Sequence, residues 1–197
     1  MARLSNKCIV LTGAGSGIGR GMAEGFVREG ARVLGVDLSE AGLAETAAGV
    51  SGPGRFETLV GNVTDPDLPD AIRARLAGLG WQWNVLCNNA GIGGGTTVED
   101  TDFATWKKVQ EVDSDSVFLG CKYAIRHMVP HAPGSIINVS SIAGLIAGHN
   151  MGAYNAAKAG VWLFSKSVAL HCAKRGYDIR SNSVHPTFIR TPILEGL

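Results

Sequence analysis

Six short β-rich runs alternate with longer stretches of helical periodicity, and this alternation restricts the chain to few architectures. The runs are residues 7–12 (KCIVLT), 31–37 (ARVLGVD), 55–60 (RFETLV), 83–88 (WNVLCN), 135–140 (SIINVS) and 177–184 (YDIRSNSV). Between them the pattern predicts helices over about 17–29, 39–49, a segment ending at 78, 102–128 and 152–174. Thr64 or Asp65 is placed to cap the third of these, with Pro66 in its first turn. Strands that are apolar nearly throughout are buried on both faces, and strands separated by helices pair in parallel. With no internal repeat or linker, residues 1–197 are expected to form one doubly wound α/β domain, a parallel sheet in a three-layer α/β/α stack.

Charge and composition narrow the function classes. Lys and Arg number 18 against 17 Asp and Glu, a net +1, so the basic face expected of a nucleic-acid binder is absent from the composition. No apolar run reaches the roughly 18 residues that would span a bilayer. The N-terminus, MARLSNKCIV, lacks a signal-peptide core, and the expectation is a cytoplasmic protein with no membrane or nucleic-acid partner. Cys8, Cys87, Cys121 and Cys172 form no CxxC pair and read as buried, reduced thiols. His127, His131, His149, His171 and His185 show no metal-ligand spacing, so no metal is expected. His149 either borders a substrate or sits in an exposed loop, and Trp81, Trp83, Trp106 and Trp162 read as core or interface packing.

Glycine, 27 residues, is about twice as common as the usual share of roughly 7%. One glycine-rich stretch, TGAGSGIG (12–19), follows the first strand and opens the first helix. There a helix N-terminus offers unpaired N–H groups and its positive dipole end to a phosphate. Gly13, Gly17 and Gly19 make GxxxGxG rather than GxGxxG, and no Lys-Ser/Thr follows as in an ATP-binding loop. Asp37 closes the second strand, 18 residues after Gly19. A carboxylate there can bind both ribose hydroxyls of an adenosine and would repel a 2′-phosphate, and Leu38 supplies no cation to offset it. NAD is therefore expected over NADP.

At the other end of the chain, Tyr154 and Lys158 in YNAAK are four residues apart on a predicted helix and share a face. A phenol with its ordinary pKa near 10 is a poor base at neutral pH, but a nearby ammonium favours the phenolate. Ser140 and Ser141 follow a strand end, and Ser141 lies 13 residues before Tyr154. A hydroxyl there could bond a substrate oxygen whose proton Tyr154 exchanges.

Taken together, TGAGSGIG, Asp37, NNAG (88–91), Ser141 and YNAAK resemble the short-chain dehydrogenase/reductase family over essentially the whole chain. The resemblance implies a Rossmann fold, a nicotinamide cofactor, and oxidation of a secondary alcohol or reduction of the ketone. It implies Tyr154 as general acid/base, Lys158 on the nicotinamide ribose and favouring the tyrosinate, and Ser141 steadying the reacting oxygen. Gly13, Ser16, Gly17, Ile18 and Gly19 would cradle the dinucleotide; Asn62, Val63, Asn89 and Ala90 would line its adenosine side. Ile189 and Thr191, in HPTFIRTP (185–192), would lie near the nicotinamide amide. GYDIRSNSVHP is similar to bacterial hydroxysteroid and secondary-alcohol dehydrogenases.

The chain departs from the family pattern at several points. Asn62 stands where an Asp usually holds the adenine amino group, and its side-chain oxygen is expected to accept that bond. Asp113, in VDSDSVFLG, replaces a catalytic Asn; it either serves the reaction or is structural. Thr187 replaces the glycine of a Pro-Gly step and is expected to reshape the nicotinamide pocket. The family pattern continues past the position of Leu197 into a substrate lid and a last strand, and the expectation for residues 1–197 is a domain without them. The expected function is NAD-dependent hydride transfer on a small-molecule secondary alcohol, with alicyclic and steroidal alcohols as candidates. The alternatives are an NADH-dependent carbonyl or 3-oxoacyl reductase and a non-catalytic NAD-binding scaffold. Apolar residues on more than one face of the last two helices, among them Val161, Trp162 and Phe164, point to a homo-oligomer, a dimer or tetramer.

Overall fold

A computed structural model describes residues 2–191. Its sheet contains β1 (Cys8–Thr12), β2 (Arg32–Asp37), β3 (Arg55–Val60), β4 (Val85–Asn88), β5 (Gly134–Val139) and β6 (Ile179–Val184). They run in the order β3-β2-β1-β4-β5-β6, and every neighbouring pair is parallel. The chain lays β2 and β3 to one side of β1 and then crosses to place β4 on the other. That reversal opens a crevice beyond the carboxyl ends of β1 and β4, where ligands bind in such sheets.

In β1, β2 and β4 the apolar runs are continuous because alternate residues feed two cores, whereas β3 and β6, at the sheet edges, are partly exposed. Cys8 and Val10 of β1, with Leu34, Val36, Leu86 and Ile136, face one core. It is closed by α3 (Leu68–Gly78), α5 (Ser116–Met128) and α6 (Gly152–Lys174) through Ile72, Leu76, Val117, Val161 and Val168. Ile9 and Leu11, with Val33, Val85 and Cys87, face the other. There α1 (Gly17–Arg28) and α2 (Glu40–Gly49) supply Ala23, Val27 and Leu43. All four cysteines are free and buried. Burial pushes the Cys8 thiol up to about 11 and those of Cys87 and Cys121 up to about 12.

The structure differs from the sequence expectations in several places, among them the sixth strand, which begins at Ile179. The third helix begins at Leu68 with Pro69 in its first turn, and Asp67 precedes it. Thr64 and Asp65 instead close the turn before it, where the Asp65 carboxylate accepts the Asp67 N–H at 2.9 Å. The fourth strand starts at Val85 because Trp83 turns its ring into the core and donates its indole N–H to the Val85 carbonyl at 3.0 Å. The long helix over 102–128 is three pieces: α4 (Phe103–Gln110), a π-turn (Glu111–Asp115) and α5. A π-turn inserts a residue into the helical register, and this one turns Asp113 wholly inward. Lastly, Val161 is 1% exposed and belongs to the core; the exposed apolar residues on α5 and α6 are Phe118, Leu163 and Leu170.

Candidate active site

The glycine turn after β1 is shaped by contacts that exclude side chains. Gly13 has φ +67°, a left-handed conformation, and a Cβ there would come within 2.8 Å of the Ala90 Cα. A Cβ on Gly19 would overlap the Gly13 carbonyl oxygen. Asn89 holds the turn to β4 by donating its amide to the Thr12 and Gly13 carbonyls at 3.0 and 3.2 Å. The Asp37 carboxylate closes the other side, accepting the Gly15 N–H and the Ser39 N–H, each at 2.9 Å. Each carboxylate oxygen keeps a lone pair for a ligand hydroxyl.

Arg20 and Thr46 complete the turn, and sequence reasoning missed both. Arg20 donates to the Gly15 carbonyl at 2.6 Å, to Glu45 at 2.7 Å and to the Thr46 hydroxyl at 3.1 Å. Thr46 in turn donates to the Ala14 carbonyl at 2.9 Å. A turn-spanning guanidinium leaves no periodic signal that could have identified it. Asn62 also departs from expectation. Its Oδ1 accepts both the N–H and the hydroxyl of Thr64, at 3.1 and 3.0 Å. The oxygen meant for an adenine amino group is thus engaged by Thr64.

At the far end of the crevice, β5 delivers Ser140 and Ser141. Ser140 turns inward and donates to the Lys158 carbonyl at 2.7 Å, tying β5 to α6. Ser141 caps the short 3₁₀ turn Ile142–Gly144, its oxygen accepting the Ala143 N–H at 3.1 Å. That bond leaves the hydroxyl proton available to a ligand oxygen. Tyr154 lies in the first turn of α6 and Lys158 one turn later, with Nζ 5.5 Å from the Tyr154 ring centroid. Lys158 Nζ donates to the Val139 carbonyl at 3.3 Å.

Behind Lys158 sits Asp113. Its Oδ1 accepts the Ile92 N–H at 2.7 Å, and its Oδ2 lies 3.5 Å from Lys158 Nζ without a hydrogen bond. The two side chains are 0% and 4% exposed. Burial pushes the Asp113 carboxyl above the ordinary range, opposed first by the Lys158 charge and then by the Ile92 N–H.

A cavity of about 430 Å³ joins the two ends. Gly13, Ser16, Gly17, Ile18, Asp37, Asn62, Val63, Asn89 and Ala90 line one part, and Ser141, Tyr154, Lys158, Ile189 and Thr191 the other. Gly19 is packed behind Gly13, and Asp113 behind Lys158, outside the wall. Thr187 lines the cavity, His149 is exposed away from its wall, and Pro192 lies outside the described residues. Ile92, Ile142, Met151 and Phe188 add an apolar lining that the motifs did not single out. Among the described residues no cluster of His, Cys, Asp and Glu could hold a metal, and no helix is long and apolar enough to cross a membrane.

Known proteins place the same arrangement in context. The family profile described as short chain dehydrogenase matches residues 7–197. The chain is 37% identical to the NADP-dependent (R)-specific alcohol dehydrogenase of Lentilactobacillus kefiri, over 99% of this chain and 78% of that protein. It is 34% identical to the 3-beta-hydroxysteroid dehydrogenase of Comamonas testosteroni, over 98% of this chain and 75% of that one. Among solved structures, levodione reductase superposes with a TM-score of 0.92 at 31% identity, covering 98% of this chain and 76% of that one.

Proposed function

Since the chain belongs to the short-chain dehydrogenase family, whose members are oxidoreductases binding a nicotinamide dinucleotide, we propose that it is an NAD-dependent dehydrogenase acting on an apolar secondary alcohol. The observation that carries this reading is the single cavity bounded by the glycine turn and Asp37 at one end and by Ser141, Tyr154 and Lys158 at the other. The turn, which admits no Cβ at Gly13 or Gly19, the unpaired N–H groups opening α1 and the cavity volume suit a dinucleotide.

A nicotinamide held in this cavity would supply the hydride donor or acceptor. The chain's own residues handle the oxygen. Ser141 donates its hydroxyl proton toward that oxygen, and Tyr154 takes the alcohol proton or returns it to the ketone. Lys158, held by Val139 and Asp113, keeps a positive charge beside the Tyr154 ring and offers a donor to the ribose. Asp113 acts through Lys158, anchoring its ammonium. Gly13, Ser16, Gly17 and Ile18 form the phosphate cradle, backed by Gly19, with Val63, Asn89 and Ala90 beside the adenosine and Ile189 and Thr191 beside the nicotinamide. Ile92, Ile142, Met151 and Phe188 favour an apolar, alicyclic substrate body.

The preference for NAD rests on Asp37, whose carboxylate two backbone N–H groups hold in place. Leu38 follows it, exposed, and Arg20 is committed to Gly15, Glu45 and Thr46, so a 2′-phosphate would face a fixed negative charge. Dissociation constants for NADH and NADPH from nicotinamide fluorescence, with turnover on cyclic and linear ketones, test the reading. NADH should bind at least tenfold more tightly, and Asp37→Ser should narrow the gap; equal or reversed affinities would refute the preference. One domain carries both cofactor and substrate chemistry, and the buried free thiols suit a reducing cytoplasm. Exposed Phe118, Leu163 and Leu170 on α5 and α6 support a homo-oligomer, a dimer or tetramer, which light scattering at micromolar concentration would detect.

A further inference from the structure

His185 stands outside the cavity wall, yet it grips the residue that aims at the substrate oxygen. The β5–β6 ladder continues past both strands: the Ser140 N–H donates to the Val184 carbonyl at 2.8 Å, and the Ile142 N–H to the Pro186 carbonyl at 2.9 Å. Pro186 has no N–H with which to answer, so the main-chain bonds that hold this segment run from the amides of Ser140 and Ile142. The Ser141 carbonyl, between those two amides, meets His185 Nδ1 at 3.1 Å. A carbonyl oxygen only accepts, so the ring proton is on Nδ1.

The ring is itself fixed. His185 Nε2 lies 3.0 Å from the Ser183 hydroxyl, which can donate to it, and the ring packs edge-on against Trp162 of α6 at a centroid separation of 6.1 Å. The imidazole thus links the end of β6, the main chain of Ser141 and the helix that carries Tyr154 and Lys158. Ser141 already uses its oxygen on the Ala143 N–H, so the direction of its hydroxyl proton follows from where this peptide is held.

We propose that His185 is a positioning residue: its Nδ1–H fixes the Ser141 carbonyl and so the aim of the Ser141 hydroxyl at the reacting oxygen. This rests on the dehydrogenase reading above. Catalytic groups must be held within a fraction of an ångström, and a displacement of about 1 Å can cost a hundredfold in rate.

Three variants separate the hydrogen bond from the packing. In His185→Asn the amide nitrogen takes the place of Nδ1; in His185→Gln it reaches the place of Nε2; His185→Leu keeps only bulk. With wild-type NADH affinity in all three, His185→Asn should stay within about threefold of wild-type kcat, while Gln and Leu should fall roughly tenfold or more. Equal kcat in all three would overturn the proposal. So would an equal loss in all three, which would assign the effect to packing on Trp162. Nitrogen-15 shifts of the wild-type ring supply a readout independent of turnover: a protonated Nδ1 with an unprotonated Nε2 is expected, and the opposite tautomer refutes the contact. Absence of wild-type turnover would count against the dehydrogenase reading, while the nitrogen shifts would still uphold or overturn the Nδ1 contact.

Discussion

Replacing Lys158 by Met should destabilise the fold through Asp113 more than through any lost packing. The charges stand 3.5 Å apart and almost fully buried, so at an effective dielectric of about 20 their attraction is about 5 kcal/mol. Part of that offsets desolvation, but removing one partner strands the other, which typically costs about 3–5 kcal/mol. Asp113→Asn keeps an oxygen for the Ile92 N–H and strands the ammonium instead. The double variant strands neither charge, so it should lose less than the two single losses combined, with a coupling energy of about 3 kcal/mol. The pH dependence has a definite sign. Burial raises the Asp113 carboxyl and Lys158 opposes the rise, so the Met variant lifts it further. A carboxyl raised in the folded state binds its proton more tightly there than in the unfolded chain. Its contribution to stability is therefore present below the unfolded value of about 3.9 and is lost as pH rises through the folded value. The penalty of Lys158→Met should therefore grow as pH rises past the wild-type carboxyl's folded value toward the variant's higher one. Urea unfolding of the four proteins at pH 5 and pH 7, followed by tryptophan fluorescence, measures both quantities. A coupling below about 1 kcal/mol, or a penalty that ignores pH, would refute the buried-pair account.

Tyr154→Phe should lower kcat at least a hundredfold with NADH affinity nearly unchanged, since only the hydroxyl is lost; near-normal kcat would remove Tyr154 from the chemistry. Gly19→Ala should abolish measurable dinucleotide binding in a fluorescence titration, because its Cβ would overlap the Gly13 carbonyl oxygen and force the turn open. With their thiols pushed up to about 12, Cys87 and Cys121 should resist alkylation at pH 8 until urea unfolds the chain, as mass spectrometry of tryptic peptides would show.

The sequence by itself determined the local pieces of this protein. A strand buried on both faces must be apolar nearly throughout, so β1 and β2 stand out as runs, and α6 spans the predicted 152–174 because its helical pattern is unbroken. Spacing alone placed Tyr154 and Lys158 on one helical face, since four residues make about one turn. Tertiary structure decided what depends on partners distant in the chain. The π-turn appears where Asp113 meets the Ile92 N–H and Lys158, a junction that no local period encodes. The strand order, the inward turn of Val161 and the outward turn of Leu163 depend on which surfaces the sheet leaves to be covered. The same holds for Asn62, whose oxygen went to a turn rather than to the crevice, and for His185, whose ring reaches a carbonyl on a neighbouring strand's extension. Periodicity records which face of an element is buried. A side chain's hydrogen-bond partner is set by the three-dimensional neighbourhood, because polar groups taken out of water must pair with whatever the fold brings near.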